Sequence, residues 1–134
     1  MSTGLFAFAE SLGPAQALAQ AAGLACHAVE VSRFPDGESL VRVPASAPTA
    51  ILYRSLDHPN AKLIELVLAA AALRDGGAQR VVLVAPYLGY MRQDIAFRPG
   101  EAVSQKVIGA LLADHFDGLV TIDPHLHRIA RLDE

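Results

Sequence analysis

The sequence carries a single cysteine, Cys26, among 134 residues. A lone thiol can form neither an internal disulfide nor a thiolate zinc cluster, and Cys26 lies in the apolar run Leu24 to Val31, where packing is its expected role. The sequence also lacks a CxxC pair, a serine or cysteine nucleophile with a neighbouring base, and a glycine-rich phosphate loop. Basic residues are not in excess: 11 Lys and Arg against 14 Asp and Glu give a formal net charge of -3, which argues against nucleic acid as a partner. Long hydrophobic runs are missing too. The longest, Leu66 to Leu73, falls far short of the roughly 20 residues that span a bilayer, and the N-terminus has neither the basic start nor the continuous apolar core of a signal peptide. The expectation is a soluble, cytoplasmic protein in a reducing compartment, with no membrane partner.

What the chain does have is apolar mass. At 134 residues and 52% hydrophobic it is long enough for one cored domain and too short for two ordinary ones, so residues 1–134 are read as a single α/β domain. Leu5 to Phe8 reads as a strand, and a helix runs from about Pro14 to Ala22, with Gly23 as its C-terminal cap. Cys26 to Val31 reads as a second strand. Leu40 to Val43 alternates apolar and polar, and together with the turn Pro44 to Pro48 and the strand Thr49 to Tyr53 it suggests a projecting β-hairpin. Asn60 is placed as the cap of a helix with Leu63, Ile64, Val67, Leu68 and Ala71 as its core face, ending at Gly76 and Gly77. Val81 to Ala85, apolar throughout, suits a strand covered on both sides. A helix from Val103 to Phe116 and a strand from Leu119 to Ile122 follow. This alternation predicts an α/β fold with a doubly wound, mostly parallel sheet, and the chain reads as the first half of a larger architecture.

Four polar clusters lie beside these strands, where an open α/β sheet holds its ligand. Phe34-Pro35-Asp36-Gly37-Glu38 offers an aromatic face and two carboxylates, yet the same residues are ordinary turn chemistry and Phe34 could equally plug the core. Arg92-Gln93-Asp94 follows the most buried strand at the carboxyl edge of the sheet. Its guanidinium suits phosphate, although a solvated loop with a local Arg–Asp pair is an even alternative. Arg98-Pro99-Gly100-Glu101 leads into the next helix, with Glu101 read as a first-turn acid. In Asp123-Pro124-His125-Leu126-His127, a carboxylate and imidazoles could reach a metal, while capping or surface roles are more usual for such a pair.

Taken in order, these residues resemble the ribose-phosphate pyrophosphokinases (phosphoribosyl pyrophosphate synthetases), from about Gly4 to the end of the chain. Phe34 to Glu38 is similar to the family's ATP-contacting hairpin segment. Tyr87 to Asp94 is similar to its aromatic-Gly-Tyr-x-Arg-Gln-Asp loop, Phe97 to Glu101 to the archaeal-type members, and Asp123 with His125 to the strand end that helps to hold magnesium and phosphate. The resemblance implies a sheet of the phosphoribosyltransferase type and transfer of diphosphate from ATP to ribose 5-phosphate, giving phosphoribosyl pyrophosphate and AMP. It implies ATP contacts at Phe34, Asp36, Glu38, Arg92, Gln93 and Asp94, Mg2+ at His125 and Asp123, and self-association. The family's basic residues after Arg-Gln-Asp are replaced by Ile95 and Ala96. Its second domain, with the sugar-phosphate loop and the catalytic lysine and arginine, has no counterpart in these residues, so no catalytic residue is assigned and the isolated chain is expected to be inactive. A non-catalytic nucleotide-binding or regulatory module that joins full-length relatives is the other reading.

Overall fold

The computed structural model describes residues 2–121. Strand β1 (Thr3–Ala7) leads through one turn of 3-10 helix (Ala9–Ser11) into helix α1 (Leu12–Ala22) and strand β2 (Ala25–Ala28). A hairpin of β3 (Glu30–Arg33) and β4 (Ser39–Arg42) follows, then β5 (Thr49–Tyr53), α2 (Pro59–Asp75), β6 (Arg80–Ala85), α3 (Ser104–His115) and β7 (Gly118–Thr121). β2, β1, β5, β6 and β7 lie side by side in that order, and every neighbouring pair is parallel. The sheet is thus wound outward in two directions from the β1–β5 junction, as the α/β reading predicts.

Side chains alternate across this sheet as the strand period of two requires. Leu5 and Ala7 face α1 and pack with Ala15 and Ala19. Phe6, Ala50, Leu52, Val81 and Leu83 point the other way, onto Leu63, Leu66 and Leu73 of α2 and Leu112 and Phe116 at the end of α3. Full burial of each such leucine contributes about 1.5–3 kcal/mol. Cys26 packs half-buried against the first cluster, and burial raises its thiol pKa, in line with a packing role.

The hairpin differs from its expected pairing. β4 pairs antiparallel with β3, and Thr49–Tyr53 instead joins the main sheet beside β1. The run Cys26 to Val31 breaks at Val29, whose N–H donates to the Ala7 carbonyl at 2.8 Å as the last rung before the chain leaves the sheet. The alternation of 40–43 arises because Val41 and Val43 pack onto the α2 core while Leu40 and Arg42 face outward. The hairpin therefore takes the place of a helix in the β2-to-β5 connection, and its turn is Phe34–Glu38.

Helix α2 also presents a different face from the one its spacing suggested. Ile64, Leu68 and Ala71 are exposed, while Leu63, Leu66, Ala69, Ala70 and Leu73 are buried together with Glu65. The helix is apolar nearly all round, so two stripes satisfy the three-and-four spacing and periodicity cannot choose between them. Asn60 does not cap it: Pro59 occupies the first turn, where its missing N–H costs nothing, and His58 precedes it in the left-handed region.

Candidate functional site at the carboxyl edge of the sheet

The loops that leave β5 and β6 at their carboxyl ends enclose a cleft of about 810 Å3, with Leu56, His58, Asn60, Tyr90, Arg92 and Gln93 among its lining residues. Its two walls are tied together. The Leu56 N–H donates to the Tyr87 carbonyl at 2.8 Å, and the Tyr90 hydroxyl donates to Asn60 Oδ1. At Gly89 the walls touch: a Cβ there would lie 2.7 Å from the Leu56 carbonyl oxygen and 2.9 Å from Pro59 Cγ, so only glycine fits. His58 (φ 49°) and Tyr90 (φ 68°), both non-glycine residues in the left-handed region, sit on opposite walls. Such conformations each cost about 1–3 kcal/mol and persist where surrounding contacts impose them.

Arg92 is exposed in this cleft; Gln93 also lines it but is half-buried, with its Nε2 donating to the Ile95 carbonyl at 3.1 Å and to Glu101 Oε1 at 3.4 Å. Their loop is held from behind. Gln105, only 3% exposed, donates from Nε2 to the Met91 carbonyl at 3.0 Å, and its backbone N–H donates to the Gln93 carbonyl at 3.1 Å. Asp94 is 4% exposed and is not among the residues lining the cleft. Glu101 lies before the helix, not in its first turn. Its Oε1 accepts from the backbone N–H groups of Phe97 at 2.9 Å and Arg98 at 3.0 Å, which closes the Arg98–Glu101 turn.

The second cluster stands apart from this cleft. Phe34, 48% exposed, does not plug the core, and Asp36 and Glu38 are exposed beside it. The turn is well formed: Phe34 N–H donates to the Glu38 carbonyl at 2.8 Å, Glu38 N–H donates to Asp36 Oδ1 at 3.1 Å, and Gly37 supplies φ 94°. None of these residues lines the cleft. Within one chain the structure brings Arg92 and Gln93 together, and Phe34, Asp36 and Glu38 together, as two separate groups.

A further ionic cluster, buried at Glu65 and Arg54 and more exposed at Glu10 and Arg33, is one that single motifs did not reveal. Arg54 Nε meets Glu10 Oε1 at 2.5 Å and its Nη1 lies 2.9 Å from Glu65 Oε1, with the guanidinium 3.9 Å above the Phe8 ring. Glu65 Oε2 accepts from Arg33 Nη2 at 3.0 Å and from the Ser39 hydroxyl at 2.6 Å. Burial pushes the Glu65 carboxyl upward, but the Ser39 hydrogen bond and the two guanidinium groups outweigh it, and its pKa is lowered from 4.5. The sequence signal is an acid within the apolar run 63–73.

Asp57 and Asp117 are also held below the ordinary carboxylate value, Asp57 by its hydrogen bond from Lys62 and Asp117 first by the Val81 backbone N–H. A lowered folded-state pKa contributes stability above the unfolded value, and that stability is lost as pH falls through the folded one. The thermal midpoint is therefore expected to hold between pH 7 and about 5 and to fall below about pH 4.5, where unfolded carboxylates begin to bind protons. Calorimetry from pH 7 to 3 checks this, and a Glu65→Gln variant should show a shallower acid decline. A decline of equal depth in that variant would remove Glu65 as a contributor.

Among the described residues no group of three or more His, Cys, Asp or Glu is placed to hold a metal ion. Asp57, the carboxylate lining the cleft, is engaged by Lys62 Nζ at 2.9 Å. Asp123 and His125, which the resemblance assigns to magnesium, lie outside the described residues, as does the end of the strand read as Leu119 to Ile122. No helix among the described residues is long and apolar enough to cross a membrane.

The parallel sheet, the separate hairpin and the polar loops at the carboxyl edge define an α/β domain of the phosphoribosyltransferase type. Residues 3–115 match the family described as the N-terminal domain of ribose phosphate pyrophosphokinase, and the chain belongs to that family. It is 45% identical over 101 residues to a ribose-phosphate pyrophosphokinase of Saccharolobus solfataricus, covering 72% of this chain and 35% of the relative. With the Halobacterium salinarum enzyme of the same name it shares 40% over 113 residues, covering 83% and 40%. The phosphoribosylpyrophosphate synthetase structure from Mycobacterium smegmatis superimposes with a TM-score of 0.82 at 29% identity, over 96% of this chain and 44% of that one. The chain thus spans between 35% and 44% of these relatives' length.

Proposed function

We propose that this chain forms the nucleotide-binding half of a ribose-phosphate diphosphokinase, which transfers diphosphate from ATP to ribose 5-phosphate and yields phosphoribosyl pyrophosphate and AMP. The observation that carries the reading is the exposed Arg92, braced from behind by Gln105 and set with Gln93 in a cleft at the carboxyl edge of the sheet. Arg92 offsets phosphate charge in the cleft, and Gln93, whose Nε2 donates to the Ile95 carbonyl and to Glu101 Oε1, offers its amide oxygen as an acceptor. Phe34 supplies a ring for the adenine, with Asp36 and Glu38 as polar partners. Because these three residues stand outside the cleft of their own chain, the reading fits a hairpin that completes the site of a second copy, with self-association following from it. Asp94 belongs to the scaffold of the loop. Mg2+ carried by the nucleotide would neutralise phosphate charge, with Asp123 and His125 as the residues that the resemblance offers for holding it. The reaction is otherwise positional, needing no covalent enzyme intermediate. The 134 residues alone are proposed to bind nucleotide without turning it over.

Titration calorimetry with ATP tests the assignment. Arg92→Ala is expected to weaken ATP binding about tenfold or more, since a charge-assisted hydrogen bond contributes about 1.5–3 kcal/mol. Equal affinity in parent and variant would move Arg92 out of the site. ATP binding that survives in a chain joined to a relative's second half, with no phosphoribosyl pyrophosphate formed, would favour the regulatory module.

A further inference from the structure

The turn Phe34–Glu38 is bounded by one ladder pair, Arg33 and Ser39, which face each other as the last partners of the hairpin. Both side chains donate to the same atom, Glu65 Oε2, at 3.0 and 2.6 Å. The other oxygen of that carboxylate lies 2.9 Å from Arg54 Nη1, whose guanidinium is fixed by Glu10 and rests on the Phe8 ring. One side of a single carboxylate is therefore bound to the interior and the other to the neck of an exposed turn. β3 is exposed along its whole length, so its own side chains give the hairpin little hold on the domain. Val41 and Val43 pack the rest of the arm onto the core but lie beyond the turn.

Glu65 also has a fixed relation to the cleft. Asn60, in the first turn of α2, lines the cleft beside Arg92. Glu65 lies five residues further along the same helix, about 7.5 Å in axial rise. One rigid helix thus carries both a wall of the phosphate-side cleft and the anchor of the aromatic turn.

We propose that Glu65 is a positioning residue for base recognition: through Arg33 and Ser39 it fixes the direction in which the hairpin presents Phe34, Asp36 and Glu38. This rests on the reading of that turn as a nucleotide contact. Glu65 touches no ligand itself. Its effect is on the adenine end of the ligand, and the charge-neutralising cleft at Arg92 is left as it is.

That separation gives the test. Ser39→Ala and Arg33→Met, singly and together, remove the grip on the turn while leaving the Glu65–Arg54–Glu10 contacts in place. Hydrogen exchange of the Phe34 amide reads the turn without ligand, and binding of ATP is compared with that of inorganic tripolyphosphate, which has no base. In the double variant, Phe34 amide protection is expected to fall tenfold or more. ATP affinity should drop about tenfold, tripolyphosphate affinity should stay unchanged, and Ser39→Thr, which keeps the hydroxyl, should retain parental behaviour. Unchanged Phe34 protection would overturn the clamp. Lost protection with the preference for ATP over tripolyphosphate intact would overturn the positioning role while leaving the nucleotide reading standing. A parent chain that itself shows no such preference would defeat the nucleotide reading, and the proposal with it.

Discussion

Glu65→Ala is expected to lower the unfolding free energy by about 3–5 kcal/mol, the usual cost of removing one partner from a buried ion pair. Glu65 is 1% exposed and the Arg54 side chain 7%, so water cannot readily replace the lost carboxylate. The Ser39 hydroxyl loses its acceptor and Arg54 keeps only Glu10 as a carboxylate partner. Urea denaturation of parent and variant measures the difference. A loss below about 1 kcal/mol, the level of an exposed pair, would mean that the pocket rehydrates and that the cluster is not sealed.

Phe8→Ala is expected to cost a similar amount, about 3–5 kcal/mol, for a different reason. The Phe8 side chain is completely buried where the chain leaves β1, and its ring is the surface on which the Arg54 guanidinium lies. Truncation leaves a cavity and also removes a cation–π contact of about 1–2 kcal/mol at a desolvated site. Phe8→Leu keeps most of the volume and loses the ring face, so the gap between the two variants isolates the stacking. Equal losses in both would show that the ring acts by volume alone.

The contacts of these two residues lie beyond what the sequence makes legible. The α/β class, the two-way winding and most strands follow from apolar runs and their punctuation, because each run had one natural length and one natural period. The position of Arg92 follows from the strand Val81–Ala85, which delivers the chain to the cleft that Arg92 lines. Pairing was harder. The alternation of Leu40 to Val43 is the same whether its partner lies before or after it in sequence, and only the packing of Val41 and Val43 on α2 decides for β3. The buried cluster was invisible for a related reason. Glu10, Arg33, Arg54 and Glu65 are far apart in sequence and belong to no motif, so tertiary proximity alone gives them a common role. Gln105 reads as an ordinary helix residue until the loop it supports is seen.

The two apolar stripes of α2 raise a matter of choice between folds. A turn of the helix about its own axis would exchange Leu66 and Leu73 for Ile64 and Leu68 against the sheet at little hydrophobic loss. Nothing in aliphatic packing alone sets a large gap between these two arrangements. The carboxylate does, because in the rotated helix Glu65 would part from Arg54 and Arg33 and leave charges stranded in a low-dielectric layer. Replacing the whole ionic cluster by well-packed apolar residues would change the depth of the native well little, since desolvation offsets most of the Coulombic gain, whereas removing the carboxylate alone strands its partners. Its contribution to uniqueness is large: the polar residue acts as a key that fits one rotational setting of a greasy cylinder and makes the competing minimum frustrated.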